Sequence, residues 1–186
     1  SHPDWAAVSP DKQWVVFGRQ YNLFMMSYAD YEKILDARRG KTGDDAKKAE
    51  NAVKVTEIQL TRDGEQHYGY VGDASGQTDA EKLKNKDDRL RPGIAWSHDS
   101  KYFSLLRSDR RKVGDLWVVH VVGNNRPELE TYKYDMPGEA DVTQRDLLVF
   151  DMAARQMKAI EAAAAWKDQT MGVFTARQFS YPDDHE

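Results

Sequence analysis

Trp96-Ser97-His98-Asp99-Ser100-Lys101-Tyr102-Phe103-Ser104-Leu105-Leu106-Arg107 decides the fold, because an earlier stretch repeats its pattern. Ser9-Pro10-Asp11-Lys12-Gln13-Trp14-Val15-Val16-Phe17-Gly18-Arg19 also runs from polar turn to apolar run to arginine, and Ser9 to Arg19 map onto Ser97 to Arg107 at one constant offset. A second apolar run follows each copy: Asn22-Leu23-Phe24-Met25-Met26 after the first, Asp115-Leu116-Trp117-Val118-Val119 after the second. A strand–turn–strand unit this small cannot enclose a core. It must stack on neighbours to cover both faces of its sheet, which predicts a modular β architecture.

The chain has 186 residues, 40% of them hydrophobic, enough for one ordinary domain or a few repeat modules. A net charge of -4 leaves no basic excess to neutralise phosphates, which argues against nucleic acid as the main partner. No apolar run approaches the ~20 residues of a membrane-spanning helix. The opening Ser1-His2-Pro3-Asp4 reads as a processing boundary rather than a native start. Cysteine is absent, so disulfides, thiolate metal sites and a cysteine nucleophile are excluded.

Along the chain, residues 5–28 read as two strands joined by tight turns. Trp14-Val15-Val16-Phe17 is a continuous apolar run, as expected of a strand covered on both faces. Residues 29–52 change character: Tyr31 to Leu35 can start a helix, Arg38 to Asp45 is a polar loop, and the whole reads as an exposed insertion. Val53 to Leu60 alternates apolar and polar, predicting a half-buried strand closed by an Asp63-Gly64 turn. Tyr68-Gly69-Tyr70-Val71 opens the next module. Thr78-Asp79-Ala80-Glu81 has the capping-box pattern, predicting a short helix over 78–88.

In the second module, Ile94–Trp96, Tyr102–Leu106, Leu116–Val122, Glu128–Tyr134 and Leu147–Asp151 are strand candidates. Gln156–Ile160 reads as a strand by position, although Ala162 to Ala165 favour helix by propensity. Phe174 to Tyr181 can begin a third module. The predicted modules cover about 5–70 and 71–166, with a third starting over 167–186. Trp14, Trp96 and Trp117 fall at strand or module-equivalent positions and are expected in the core.

Trp96-Ser97-His98-Asp99-Ser100-Lys101 resembles the Trp-Ser-Pro-Asp-Gly/Ser-Lys repeat of propellers. The run Arg126 to Glu139, containing Leu129-Glu130-Thr131-Tyr132-Lys133-Tyr134 and Met136-Pro137-Gly138-Glu139, and then Asp146 to Asp151, is more specific. It is similar to the N-terminal β-propeller of the dipeptidyl peptidase IV branch of the prolyl oligopeptidase (S9) family, over roughly residues 5–182. The resemblance implies a mainly β fold of antiparallel four-stranded blades, about two of them here, as a partial β-propeller with polar and helical insertions. It implies a peptide substrate, a partner α/β-hydrolase domain on the same polypeptide carrying Ser, Asp and His, and a periplasmic or secreted location. The rival class is a non-catalytic periplasmic propeller scaffold for protein–protein interaction.

No catalytic residue is assigned. A nucleophile elbow needs Gly-x-Ser-x-Gly, and no such run occurs. His2, His67, His98, His120 and His185 form no metal-spaced pair, so neither a metal nor another cofactor is expected. Family members grip the substrate's free amine with adjacent glutamates on a short helix of the propeller. The matching segment is the excursion before Pro92, whose candidates are Asp79 and Glu81. The Tyr-Glu-Glu run itself is missing, and residues two apart diverge on a helix. Helix capping is the competing explanation for Glu81. Truncation of a ring would leave blade faces bare, so self-association of the chain is expected.

Overall fold

A computed structural model describes residues 3–74, 76, 79–120, 128–161 and 167–168. In chain order, the elements begin with β1 (Ala7–Val8), β2 (Trp14–Arg19), β3 (Asn22–Ser27), α1 (Tyr28–Arg38) and α2 (Gly43–Asn51). They continue with β4 (Ile58–Gln59), β5 (Tyr68–Gly69), α3 (Asp79–Lys84), β6 (Ile94–Trp96) and β7 (Tyr102–Asp109). The last four are β8 (Asp115–His120), β9 (Glu128–Lys133), β10 (Gln144–Asp151) and β11 (Gln156–Ala159).

Two antiparallel sheets have the blade order. The first runs β1-β2-β3-β4; the second runs β11-β10-β7, with β6 and β5 sharing the free edge of β7. The register shows the sheets as copies. Ala7 faces Val16 and Val8 faces Val15 in one, as Ala95 faces Ser104 and Trp96 faces Phe103 in the other.

The polar turns match atom for atom. Ser9 Oγ donates to Asp11 Oδ1 at 2.6 Å, and Ser97 Oγ to Asp99 Oδ1 at 2.8 Å. The amides of Gln13 and Lys101 donate to the same aspartate oxygens at 3.0 and 3.2 Å. Those of Trp14 and Tyr102 donate to the two serine hydroxyls, both at 3.0 Å. Lys12 and Ser100 both hold the left-handed conformation, φ 55° and 58°. The side-chain bonds stand in for the ladder that a turn of this shape interrupts.

Alternation along the strands sends side chains to both faces and builds two cores. Val16, Leu23 and Met25 pack between the sheets against Phe103, Leu105, Leu148 and Phe150. Phe103 stacks on Phe150 at 4.9 Å, with the Trp96 ring edge-on at 5.1 Å. On the opposite face of the first sheet, Val15, Phe17 and Met26 meet Trp5 and the α1 residues Tyr31 and Ile34. Burial of both faces accounts for the unbroken apolar run in β2. Each such fully buried aliphatic or aromatic side chain contributes roughly 1.5–3 kcal/mol.

Four expectations need correction. The 29–52 segment is no solvated insertion: it forms the α1–α2 hairpin, Ser27 caps α1 by accepting from Asp30 N, and Tyr31 and Ile34 are buried. The Val53–Leu60 strand is reduced to Ile58–Gln59, because Val53 and Val55 pack onto the helix-side core rather than joining a ladder. The counterpart of β3 is β10, not the 115–119 run: β10 pairs along β7, whereas β8 pairs with β9 in a separate two-stranded hairpin. Trp117 is not core. It stands 71% exposed on that hairpin, with Val119 and Leu129 exposed nearby on the same face.

The short helix and the 156–160 strand appear as α3 and β11. The alanine run and the start of a third module at Phe174–Tyr181 lie outside the described residues.

Candidate functional site

The site grows from the turn between β2 and β3. Gln20 and Tyr21 both have positive φ, 48° and 64°, as a two-residue hairpin with right-handed strand twist requires. Neither residue is the glycine or asparagine this turn prefers, so the conformation is held from outside. Asn22 holds it. Its Nδ2 donates to the Gln20 and Gly64 carbonyls at 3.0 and 3.2 Å, and its Oδ1 accepts from Gly64 N at 2.9 Å and Thr61 Oγ1 at 3.1 Å. Gly64 is obligatory here, because a Cβ would fall 2.3 Å from the Tyr21 carbonyl oxygen.

The turn presents Tyr21 to two cavities of about 340 and 500 Å³. Tyr21, Gly72 and Asp73 line both, so the two form one trough with Asp73 at its middle. The smaller cavity lies between the blades, where Leu106 and Ser108 of β7 meet Arg91, Arg110 and His67. The larger reaches α3, where Lys82 and Lys86, four apart, share one side of the chain. The Tyr21 hydroxyl bonds to the Asp73 carboxylate; burial, and then the negative charge of Asp73, push its pKa up. Tyr21 therefore stays a neutral donor that orients Asp73 at ordinary pH.

The excursion carrying α3 is fixed to the first blade. Leu90 and Gly18 exchange backbone bonds at 2.7 and 2.8 Å. Arg89 bridges Glu50 of α2 at 2.9 Å and Glu57 at 2.7 Å, with both side chains of the Arg89–Glu50 pair buried. Arg19 also holds Glu57, at 2.6 Å, and Arg38 holds Glu50. Burial alone would raise the Glu57 carboxyl; the bonds from Arg19 and Arg89 outweigh it and keep it below the usual glutamate range.

Asp79 is the first residue of α3, and its side chain lies outside the described residues. Glu81 is exposed on α3 and lines neither cavity. Among the described residues, the carboxylate that lines the trough is Asp73, which sequence reasoning missed: one aspartate in a Gly-Asp loop matches no motif. Tyr21 was missed because its turn contains no glycine.

Of the histidines, His67 lines the smaller cavity, His98 is exposed in the second turn, and the side chain of His120 lies outside the described residues. Among the described residues no three His, Cys, Asp or Glu side chains cluster to hold a metal, and no helix is long and apolar enough to cross a membrane.

A family model described as the dipeptidyl peptidase IV (DPP IV) N-terminal region matches residues 47–183. Among solved structures, the chain is similar to dipeptidyl peptidase 4 of Porphyromonas gingivalis, with 24% identity and a TM-score of 0.51 over 84% of this chain. It also matches a putative dipeptidyl aminopeptidase IV of Bacteroides ovatus, with 16% identity and a TM-score of 0.39 over 82% of this chain. The chain spans 18% and 21% of those two proteins. No curated protein sequence matches it.

Proposed function

The chain belongs to the family of dipeptidyl peptidase IV N-terminal regions, and from that premise we propose that it walls the substrate path of a dipeptidyl peptidase IV-like serine peptidase. In this reading the chain shapes and gates peptide access to a separate α/β-hydrolase domain of the same polypeptide. The observation that carries it is the interblade trough, where an oriented carboxylate sits in a recess roomy enough for a short peptide. A peptide ammonium in such a recess needs an acceptor already in position. Asp73 meets that need from the trough wall; Asp79 and Glu81 remain candidates on the adjoining helix for a ligand that reaches beyond the trough. Location is periplasmic or secreted by the same reasoning.

The test is peptidase assay of the full-length gene product with dipeptidyl chromogenic substrates. Asp73→Asn should raise KM at least tenfold with folding intact. An active full-length enzyme indifferent to this change would overturn the trough assignment.

A second reading has its own observation. The β8–β9 hairpin exposes Trp117, Val119, Leu129 and Tyr132, more apolar surface than a lone two-stranded ribbon sustains in water. It favours a protein-contact role, with self-association of the chain as its simplest form. A full-length product with further blades and no nucleophile elbow would select the scaffold reading.

A further inference from the structure

We propose that the trough prefers acidic peptides, with Arg91 and Arg110 taking a substrate carboxylate while Asp73 takes the amine. This rests on the peptide-trough reading and adds the charge class of the ligand.

Elsewhere in this chain, several arginines are held by carboxylates. Arg19 pairs with Glu57, and Arg89 with Glu50 and Glu57. Arg107 pairs with Asp63 and Asp146, and Arg111 with Asp109 and Glu65. The trough cations differ. Among the described residues, Lys82, Lys86, Arg91 and Arg110 form no ion pair with a carboxylate; Arg91 donates to the Asp4 carbonyl at 3.4 Å, and Arg110 to the Lys133 carbonyl. Four cations thus line the trough with Asp73 as the acid of its described lining, while Asp135 outside it also feels the charge of Arg110, in a chain whose net charge is -4. A recess of sign opposite to the whole molecule concentrates anions of matching shape.

The chemistry narrows the anion to a carboxylate on a peptide. Arginine presents a planar fork that matches a carboxylate by two parallel bonds. Asp73 in the same trough repels a polyphosphate but complements an ammonium, so a ligand carrying both charges fits better than an anion alone. Bare backbone makes room for a ligand chain: a Cβ at Gly72 or Gly93 would meet nothing within 4 Å.

The experiment titrates this chain, isotope-labelled, with Ala-Glu-amide and Ala-Gln-amide, an isosteric pair differing in one charge, and follows the backbone amides of residues 69–73 by NMR. The expected result is about tenfold tighter binding of Ala-Glu-amide, the effect of one charge-assisted hydrogen bond. Its advantage should shrink as salt rises. Arg91→Gln, at an exposed position, should reduce the advantage to about threefold or less, whereas Asp73→Asn should weaken both peptides alike. Equal affinity of the two peptides for the unaltered chain would overturn the proposal and leave the peptide reading standing. Binding of neither would remove both.

Discussion

The backbone amide of Asp11 donates to the hydroxyl of Ser100 at 3.0 Å, across 89 residues of chain. These residues lie in the two copies of one turn, so the bond ties blade to blade at equivalent places. Ser100 occupies the position that Lys12 holds in the first copy, and both have positive φ. Ser100→Ala and Lys12→Ala therefore carry the same backbone strain. Ser100→Ala alone loses the interblade bond and should cost about 1 kcal/mol more in urea unfolding. Equal costs would mean that the bond contributes nothing.

Arg89 is buried between two carboxylates. Replacing it with methionine keeps volume and takes one of two guanidinium partners from each of Glu50 and Glu57, which Arg38 and Arg19 still hold, and should cost about 1–3 kcal/mol. The triple change Arg89→Met, Glu50→Gln and Glu57→Gln also strips Arg38 and Arg19 of their carboxylates and should cost more than the single change. Denaturant midpoints of the single and triple variants decide it.

Gly18 touches the connector to the second blade. A Cβ there would lie 2.6 Å from both methyl carbons of Val71. Gly18→Ala should destabilise by about 1–3 kcal/mol through overpacking, and its penalty should be smaller in a Val71→Gly background, which also removes the Val71 Cβ at 2.7 Å. Thermal melts of the two variants provide the measurement.

Acid should weaken the fold through Glu57 and Asp146. Burial raises each carboxyl, but Arg19 and Arg89 on Glu57, and Lys167 and Arg107 on Asp146, hold both below their ordinary values of 4.5 and 3.8. A depressed carboxylate stabilises fully above its unfolded pKa. That contribution fades as pH falls through the ordinary range and is gone beneath the folded pKa. The urea midpoint should hold steady from pH 7 to about 5 and then drop toward pH 3. A flat profile across that interval would remove these pairs from the account.

The hairpin predicts solution behaviour. Trp117→Ser with Leu129→Ser should lower the apparent mass seen by light scattering at high protein concentration. Because both side chains are more than half exposed, the melting temperature should hold. Unchanged mass would place self-association elsewhere.

The blades were legible because turn and strand share one grammar: Ser9-Pro10-Asp11 and Ser97-His98-Asp99 make the same local bonds, and the apolar runs behind them bury two faces. The pairing of copies was only half legible. The Leu116–Val119 run has strand composition, but composition does not distinguish a blade strand from a projecting ribbon; the ladder from β7 to β10 is a long-range choice. The α1–α2 hairpin was hidden because its buried face amounts to Tyr31, Ile34 and a few neighbours amid charged residues. The trough was illegible for a related reason. Tyr21, Asp73, Arg91 and Arg110 converge from separate segments, and each alone is an ordinary surface residue.

The charge cluster of Arg19, Arg38, Arg89, Glu50 and Glu57 sets a rule for anyone who would shorten this protein. Excising the helical pair removes Glu50 and leaves Arg89 short of a carboxylate; trimming the later loop removes Arg89 and leaves Glu50 to Arg38 alone and Glu57 to Arg19 alone. The two segments are therefore coupled, and because Tyr31 and Ile34 of the helical pair also cover Val15, Phe17 and Met26, shortening either one disturbs the first blade's outer face.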